Sequence, residues 1–363
     1  MKYSINHYII LFVFITLQVP AKAQLHDFDS LYEHSPAFTK YFDSVKDTFD
    51  FFNDDEILDV TIKSDFRNLI KKKFGDEYQP ATLEMVMFDS VVVRWDISIK
   101  PRGGIRREQC YFPPVKLNFS KKQALFRQLE VFDKVKFVGN CQSGDLYDVY
   151  LVEEYYIYKM YNLLTPFSYR VRLMKVKYID SNGKKKPREN YAFIVESTDQ
   201  LAKRLNGINF EREGIPIRMI DRETSTIMDL FQFMVGNTDY TVYTLHNIKL
   251  IKIADPNYPN PVAVPYDFDY SGLINTYYAI PGENWPIEDV TQRYYMGGCR
   301  EMTEFEEVFN TFREKREAME ALLVNSKYLT DNAKKNPLMY IDEFYKIINS
   351  EAAVKSWIVN NCH

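Results

Sequence analysis

The chain has 363 residues and a formal net charge of −4 at pH 7, and 15% of its residues are aromatic. This length is enough for one large domain or two small ones. The negative charge argues against non-specific binding to nucleic acid, so no nucleic-acid partner is expected. No H-E-x-x-H segment and no G-x-S-x-G segment occurs, which removes the sequence signals of zinc proteases and of α/β-hydrolases.

The first residues predict a secretory signal peptide. Lys2 precedes an apolar stretch from Tyr8 to Leu17, and an A-x-A sequence ends at Ala23. The apolar stretch is about ten residues long, whereas a bilayer span needs roughly 20. We therefore expect residues 1–23 to be removed and the protein to be exported, with no transmembrane segment after cleavage. A buried N-terminal helix is the alternative.

The first half of the remaining chain is predicted to be rich in strands, because apolar residues recur at every second position. Asp65 is the expected cap of one short helix. A long helix is predicted over residues 145–164, with Asp145 as its N-cap and with apolar residues on both sides, so that it packs on two faces. The predicted strands are residues 56–63, 81–88, 90–100, 115–119, 133–138, 170–180 and 190–196.

From about Thr198 the pattern changes to helices and long loops. A helical apolar pattern leads into Gly236, and three more helices are predicted over residues 303–325, 336–350 and 351–362. The fold class is therefore predicted as α+β. We expect a sheet-rich N-terminal lobe (residues 24–197), a helix-rich C-terminal lobe (residues 198–363) and a ligand site in the cleft between them.

Acids and amides near the middle of the chain suggest the chemistry of that site. Asp239 is followed by His246 and Asn247, and then by Asp267 and Asp269. Phosphoryl-transfer sites need an Asp that orients the attacking hydroxyl, and an Asn and a further Asp that hold magnesium. The alternative is that these residues cap helices and turns, or are solvated side chains of a strand.

Such a site also needs a cation on the phosphates, supplied by a strand and held by a Glu of the next helix. Lys136 lies on a predicted strand, and the following helix carries Glu153 and Glu154. Lys116 is the rival cation. The alternative for Lys136 is an exposed lysine on the surface of a strand.

A turn that covers the phosphates is expected before that strand. Arg102, Gly103 and Gly104 meet the requirement, since glycines permit close approach of the backbone and a guanidinium binds phosphate oxygens. An ordinary turn between two strands is the alternative.

Several segments resemble the spore coat protein H (CotH) family of atypical, often secreted, protein kinases. The resemblance runs from about Leu58 to the C-terminus, and the GNTD segment with its following HN and YD pairs is also similar to HipA-type kinases. The segments that carry the resemblance are LDVTIKSDFRNL, PPVKLNF, DKVKFVGNC, EYYIYKMYNLLT, FSYRVRL, GNTD and VPYDFD.

The resemblance implies a protein-kinase-like two-lobed fold, ATP and Mg²⁺ as cofactors, and phosphorylation of Ser or Thr in a protein substrate. By this resemblance Asp239 is the catalytic acid, Asn247 a metal ligand and Asp267 the metal-binding acid. Lys136 would contact phosphate, and Glu154 would be its partner.

Two features depart from the pattern of ordinary kinases. The spacing from Asp239 to Asn247 is longer, and the turn at Gly103 lacks the usual glycine series. A catalytically inactive kinase-like protein, which binds or assembles at a surface, is therefore the alternative function. An ordinary exported hydrolase is a third hypothesis, but the sequence contains no recognisable Ser-His or metal-His signature for it.

The four cysteines suggest disulfides in an exported protein. We expect Cys110 to pair with Cys141, because they flank strands that we expect to be neighbours, and Cys299 to pair with Cys362. Four buried free thiols are the alternative.

Two basic runs remain, at residues 71–73 and 184–186. Each is predicted to be a solvated turn or helix end rather than a site for a polyanion.

Overall fold

The structure is a computed structural model. It describes residues 25–46, 50–53, 56–87, 90–103, 107–108, 110–119, 136–140, 144–282 and 285–363. The predicted signal peptide, Gly104 and Cys141 lie outside these ranges.

Strands dominate the first half of the described chain, and helices dominate the second half. The strands are β1 (His26–Asp27), β2 (Leu58–Ser64), β3 (Gln79–Met87), β4 (Val91–Pro101), β5 (Val115–Phe119), β6 (Lys136–Gly139), β7 (Val171–Asp180), β8 (Arg188–Val195), β9 (Gly207–Asn209), β10 (Ile248–Ile253) and β11 (Val262–Pro265). The helices are α1 (Phe28–His34), α2 (Pro36–Val45), α3 (Phe66–Lys71), α4 (Asp145–Leu164), α5 (Thr198–Arg204), α6 (Arg222–Val235), α7 (Met302–Val324), α8 (Asp331–Ile348) and α9 (Glu351–Trp357).

The large sheet has the strand order β1-β4-β3-β2-β7-β8-β6, and β5 pairs with β4. The pairs β2–β7 and β1–β4 are parallel, and the other pairs are antiparallel. The sheet curls, so that β5 and β6 come into contact without being hydrogen-bonded neighbours. This corrects the expectation that the strands near Cys110 and Cys141 pair with each other.

The alternating pattern of β4 explains how this sheet makes its core. Val93, Trp95 and Ile99 are buried on one face of the strand. Arg94 lies on the other face and pairs with Glu84 of β3 at 2.8 Å. The alternation therefore separates an apolar inner face from a solvated outer face, as predicted for this strand.

Helix α4 has the predicted bounds and is packed on two faces, as expected. It packs against β8 and β7 on one side and against α7 on the other, with Val152, Ile157 and Met160 completely buried. The predicted cap is wrong: Asp145 is the first helical residue, and Gly144 occupies the N-cap position without a side-chain cap.

The second half has the expected helices and also a small sheet that was not predicted. Strands β11, β10 and β9 form this antiparallel sheet next to α6. The broad α+β class is confirmed, with a curled sheet followed by a helical region. Among the described residues, no helix combines the length and apolar character needed to cross a bilayer.

The disulfide between Cys299 and Cys362 is confirmed, with a Cα–Cα distance of 4.8 Å. Cys110 is also disulfide-bonded, and its predicted partner Cys141 lies outside the described residues. The alternative of four free thiols is wrong, because no described cysteine is free.

Candidate functional site

A cleft of about 780 Å³ opens between the large sheet and the loops of the second half. Its described lining comes from the end of β4, from β6, from the loop after α6, from the loop after β11, and from residues 280–282 and Trp285. The titratable or charged side chains among the lining residues are Arg102, Lys136, Asp239, Tyr240, His246, Asp267, Asp269 and Tyr270.

The loop that carries Asp239 is set by the end of α6. Gly236 ends this helix with a φ of 66°, and a Cβ at this position would collide with the hydroxyl of Tyr340. Asn237 then donates from Nδ2 to Gln232 Oε1 at 3.0 Å and accepts the N–H of Asp239 at 3.1 Å. The buried side-chain amide of Asn237 therefore fixes the position of Asp239 relative to the end of α6.

Both carboxylate oxygens of Asp239 have partners. His246 Nε2 lies 2.8 Å from Oδ1, and Asn247 Nδ2 donates to Oδ2 at 2.9 Å and to the backbone oxygen at 2.8 Å. A β-bridge between Thr241 and His246 closes the loop and brings these residues back to Asp239. The eight-residue spacing from Asp239 to Asn247 is therefore occupied by a closed loop.

Electrostatics couple Asp239 to the other two acids of the cleft. Burial raises the pKa of Asp239, and the neighbouring charges of Asp269 and Asp267 raise it further, whereas His246 opposes the rise. Three carboxylates that repel one another at one site favour the binding of a cation.

Asp267 lies just beyond the end of β11. Tyr266 donates its N–H to Asn247 O at 3.0 Å, and Asp267 has a left-handed φ of 66°. The N–H of Asp267 donates to the hydroxyl of Tyr158, a buried residue of α4, at 2.8 Å. The acid therefore lies on a tight loop attached to the long helix, and it is not part of a strand.

Lys136 faces this acid from β6. Its Nζ is buried, lies 3.2 Å from Asp267 Oδ2 and is 4.5 Å from the centroid of the Tyr266 ring. The carboxylate within ion-pair distance of Lys136, among the described residues, is that of Asp267 and not that of Glu154. Glu154 is buried on α4, where its charge adds to burial in raising the pKa of Tyr158.

Glu154 and Asp269 meet at a small cavity of about 40 Å³ beside the cleft, which Val138 and Tyr278 also line. Asp269 is buried, and its Oδ2 accepts the hydroxyl of Tyr278 at 2.9 Å. The structure therefore places Glu154 beside the cleft, at a cavity that it shares with Asp269, and not among the described lining residues of the cleft.

The predicted phosphate turn lies at the rim of the cleft. Arg102 and Gly103 both line it, Gly103 has a φ of 86°, and the N–H of Arg102 donates to Pro114 O at 2.8 Å. Gly104 lies outside the described residues. A positive φ at Gly103 is the conformation for which glycine is suited.

Lys116, the rival cation, lies elsewhere. It is opposite Lys100 in the β4–β5 pair, and it is not among the described lining residues of the cleft. The pKa of Asp76 is lowered mainly by Lys100, with a smaller contribution from the charge of Lys116. Lys116 therefore lies near the exposed Asp76 and away from Asp239, Asp267 and Asp269 of the cleft.

One wall of the cleft was not predicted from the sequence. Ile280, Pro281, Gly282 and Trp285 line it, and Ile280 is 72% exposed. The sequence signal for this wall is a Pro-Gly pair followed by a Trp. Such a pattern predicts a turn but is too common to predict a binding site.

The donor set fits magnesium bound together with a nucleotide. In the described part of the chain, no three His, Cys, Asp or Glu side chains converge into a self-contained metal centre. Mg²⁺ usually takes one or two carboxylates and completes its shell with phosphates and water. Asp267 and Asp269 offer carboxylate oxygens and Asn247 offers an amide oxygen to such an ion. The buried Nζ of Lys136 could contact a phosphate oxygen.

A scan of protein-family models gives no match to this chain, and no curated protein matches it.

Proposed function

We propose that this protein is an exported atypical protein kinase, which transfers the γ-phosphate of ATP to a Ser or Thr hydroxyl of a protein substrate. In this proposal the fold is kinase-like, with a sheet-rich lobe of residues 24–197 and a helix-rich lobe of residues 198–363. The resemblance to CotH-type kinases supports it.

One observation carries the proposal: Lys136 of β6, Asp239 and Asn247 of one closed loop, and Asp267 of the loop after β11 all line one cleft. Phosphoryl transfer needs little covalent chemistry from the protein, and it depends on positioning and on charge stabilisation. A cation, a proton acceptor and metal-binding oxygens around one cavity are the groups that this reaction requires.

Each residue has a defined task in this mechanism. Bound ATP with Mg²⁺ supplies the phosphoryl group and neutralises its charge. Asp239 orients the acceptor hydroxyl and takes its proton, while His246 and Asn247 hold its carboxylate in place. Lys136 binds phosphate oxygens, and Asp267, Asp269 and Asn247 hold the metal.

Export is part of the same proposal. It rests on the predicted signal peptide of residues 1–23, and the disulfide between Cys299 and Cys362 is compatible with it. Such bonds persist in oxidising compartments outside the cytoplasm.

A catalytically inactive kinase-like binding protein is the second candidate. It is favoured by the Lys136–Asp267 ion pair, because the proposed phosphate cation and the proposed metal-binding acid neutralise each other. It is also favoured by the two partners that occupy the carboxylate oxygens of Asp239.

A thermal-shift titration with ATP, with and without Mg²⁺, tests whether the cleft binds a nucleotide, which the kinase requires. A ligand that binds only the folded state stabilises it by about 2.7 kcal/mol at 100 times its Kd. We expect stabilisation that requires both ATP and Mg²⁺. Stabilisation without any phosphotransfer would favour the second candidate, and no stabilisation would contradict the nucleotide site.

A further inference from the structure

A second cavity, of about 330 Å³, shares no described lining residue with the cleft. Its floor consists of three aromatic rings from three elements: Phe66 of α3, Phe112 before β5 and Tyr178 of β7. The ring centroids lie 5.1–5.6 Å apart, and all three rings are buried. Such a floor accommodates an aromatic or large apolar group.

The rim of this cavity is cationic. Lys185, Lys186 and Arg188 line it, and Lys185 donates from Nζ to the hydroxyl of Tyr111 at 2.6 Å. The guanidinium of Arg188 lies 5.0 Å from the centroid of the Phe112 ring. Cations and aromatic rings therefore alternate around one opening.

One basic run of the sequence lies at the rim of this cavity, and the other follows a helix that lines it. Residues 184–186 form the exposed turn at the rim, and residues 71–73 follow Ile70, which lines the cavity from α3. Sequence alone predicted two unrelated solvated segments. The parallel pairing of β2 with β7 places α3 and this turn at the same end of the two strands, because α3 follows β2 directly and the 184–186 turn follows β7.

The described lining holds one carboxylate, that of Asp180, against the three cations of the rim, so the net charge of the lining stays positive. Asp180 accepts the N–H of Phe66 at 3.0 Å and the N–H of Lys184 at 2.8 Å. Lys72 pairs with Glu77 at 3.5 Å, but both side chains are exposed and the pair is weak. Lys185 and Lys186 are exposed at the opening.

We propose that this cavity is a docking site for an acidic segment of a partner protein, anchored by one aromatic or large apolar side chain. The anchor would insert between Tyr111 and the aromatic floor, and flanking Asp or Glu residues would pair with the exposed Lys185 and Lys186. Buried anchors carry most of the affinity of such interfaces, and charges around them give specificity.

Charge and shape favour this occupant. The volume is at the low end of the range for small-molecule sites, about 300–1,000 Å³, and is enough to admit one inserted side chain, while the exposed lysines at the opening suit the acids that flank it. An anionic membrane would require a flat or protruding apolar surface, whereas this site is concave. The proposal concerns a partner and does not depend on ATP binding in the cleft.

Fluorescence anisotropy with a labelled peptide, in which glutamates flank one phenylalanine, tests the proposal on the full mature chain. We expect saturable binding that weakens by about tenfold in Lys185→Glu and in Lys186→Glu. Tyr111→Ser should also weaken it. Lys355→Glu reverses an exposed charge on α9 and should leave the affinity unchanged.

Matched probes exclude the other occupants. A peptide with serine in place of the phenylalanine should bind at least about tenfold more weakly. Equal affinity for both peptides would show a simple polyanion effect and overturn the proposal. No saturable binding with phenylalanine, tryptophan or leucine as anchor would also overturn it, as would binding only to phosphatidylserine vesicles.

Discussion

Lys136 Nζ lies 3.2 Å from Asp267 Oδ2, so an ion pair joins β6 of the large sheet to the loop after β11 across the cleft. Tyr266 lies below the cation, with its ring centroid 4.5 Å from Nζ. Both side chains are half-buried, and removing one partner of such a pair leaves the other charge only partly compensated by solvent. This cation and this acid should therefore be the most sensitive pair of residues in the cleft.

The first prediction concerns the cation. Lys136→Met should lower the affinity for ATP with Mg²⁺, or its turnover, by about tenfold or more, because a charged contact to phosphate is lost. Isothermal titration calorimetry and radiolabelled ATP turnover measure the two effects. Lys116→Met is the matched control and should be silent. A damaging Lys116→Met together with a silent Lys136→Met would show that the phosphate lysine is assigned wrongly.

The second prediction concerns the histidine on Asp239. His246 lowers the pKa of Asp239, against the larger opposing effect of burial. Asp239 must be ionised to accept a proton, so activity should fall as the pH drops through its pKa. In His246→Ala the acidic limb of the pH–rate profile should move to higher pH. His34→Ala, which changes an exposed histidine of α1, should leave the profile in place, and an unmoved limb in His246→Ala would refute this role.

The third prediction concerns stability. Asp229 of α6 is completely buried, and burial raises its pKa from 3.8 to about 7 although Gly298 N–H, Arg300 and Tyr240 favour the ionised form. Between these two values the folded chain holds a proton that the unfolded chain has released. Stability contributed by this proton therefore falls as the pH rises through that window.

Asp229→Asn removes this titration. Relative to the native chain, the variant should become more stable as the pH rises, by up to about 4 kcal/mol between pH 4 and pH 7. Urea unfolding across this range measures the difference. Parallel pH curves for the two proteins would contradict the assignment.

The sequence was informative where a local pattern decides the structure. The alternation of β4, the two-sided apolar helix α4 and the Asp65 cap are all observed. The small sheet of β9, β10 and β11 was missed because β9 and β11 are short and β9 pairs with a strand far along the chain. Local periodicity carries no information about such pairing.

The candidate site shows the same division. Asp239, Asp267 and Asp269 were recognisable because their order and spacing can be read directly from the sequence. The partner of Lys136 was not, because it depends on how β6 faces a loop more than a hundred residues later. The aromatic cavity was missed for the same reason, since the β2–β7 pairing brings Phe66 of α3 next to Tyr178 of β7.

The fourth prediction concerns the disulfide. Cys299 and Cys362 are 63 residues apart, and their loop should stabilise the fold by about 4 kcal/mol on the chain-entropy model. Next to the bond, His363 donates its N–H to Gly297 O at 3.0 Å. The double variant Cys299→Ser, Cys362→Ser should therefore unfold at much lower urea concentration. A loss below about 1 kcal/mol would show that the bond is dispensable for stability.

The most direct test of the central claim measures autophosphorylation and ATP binding in the same variants. Asp239→Ala and Asp267→Ala should each lower autophosphorylation by about 10²-fold or more. Asp267→Ala should also weaken Mg²⁺-dependent ATP binding, whereas Asp239→Ala should spare it. Asp331→Ala, at an exposed acid of α8, is the matched control and should behave as the native chain. Radiolabelled ATP turnover that is unchanged in both cleft variants would contradict the account.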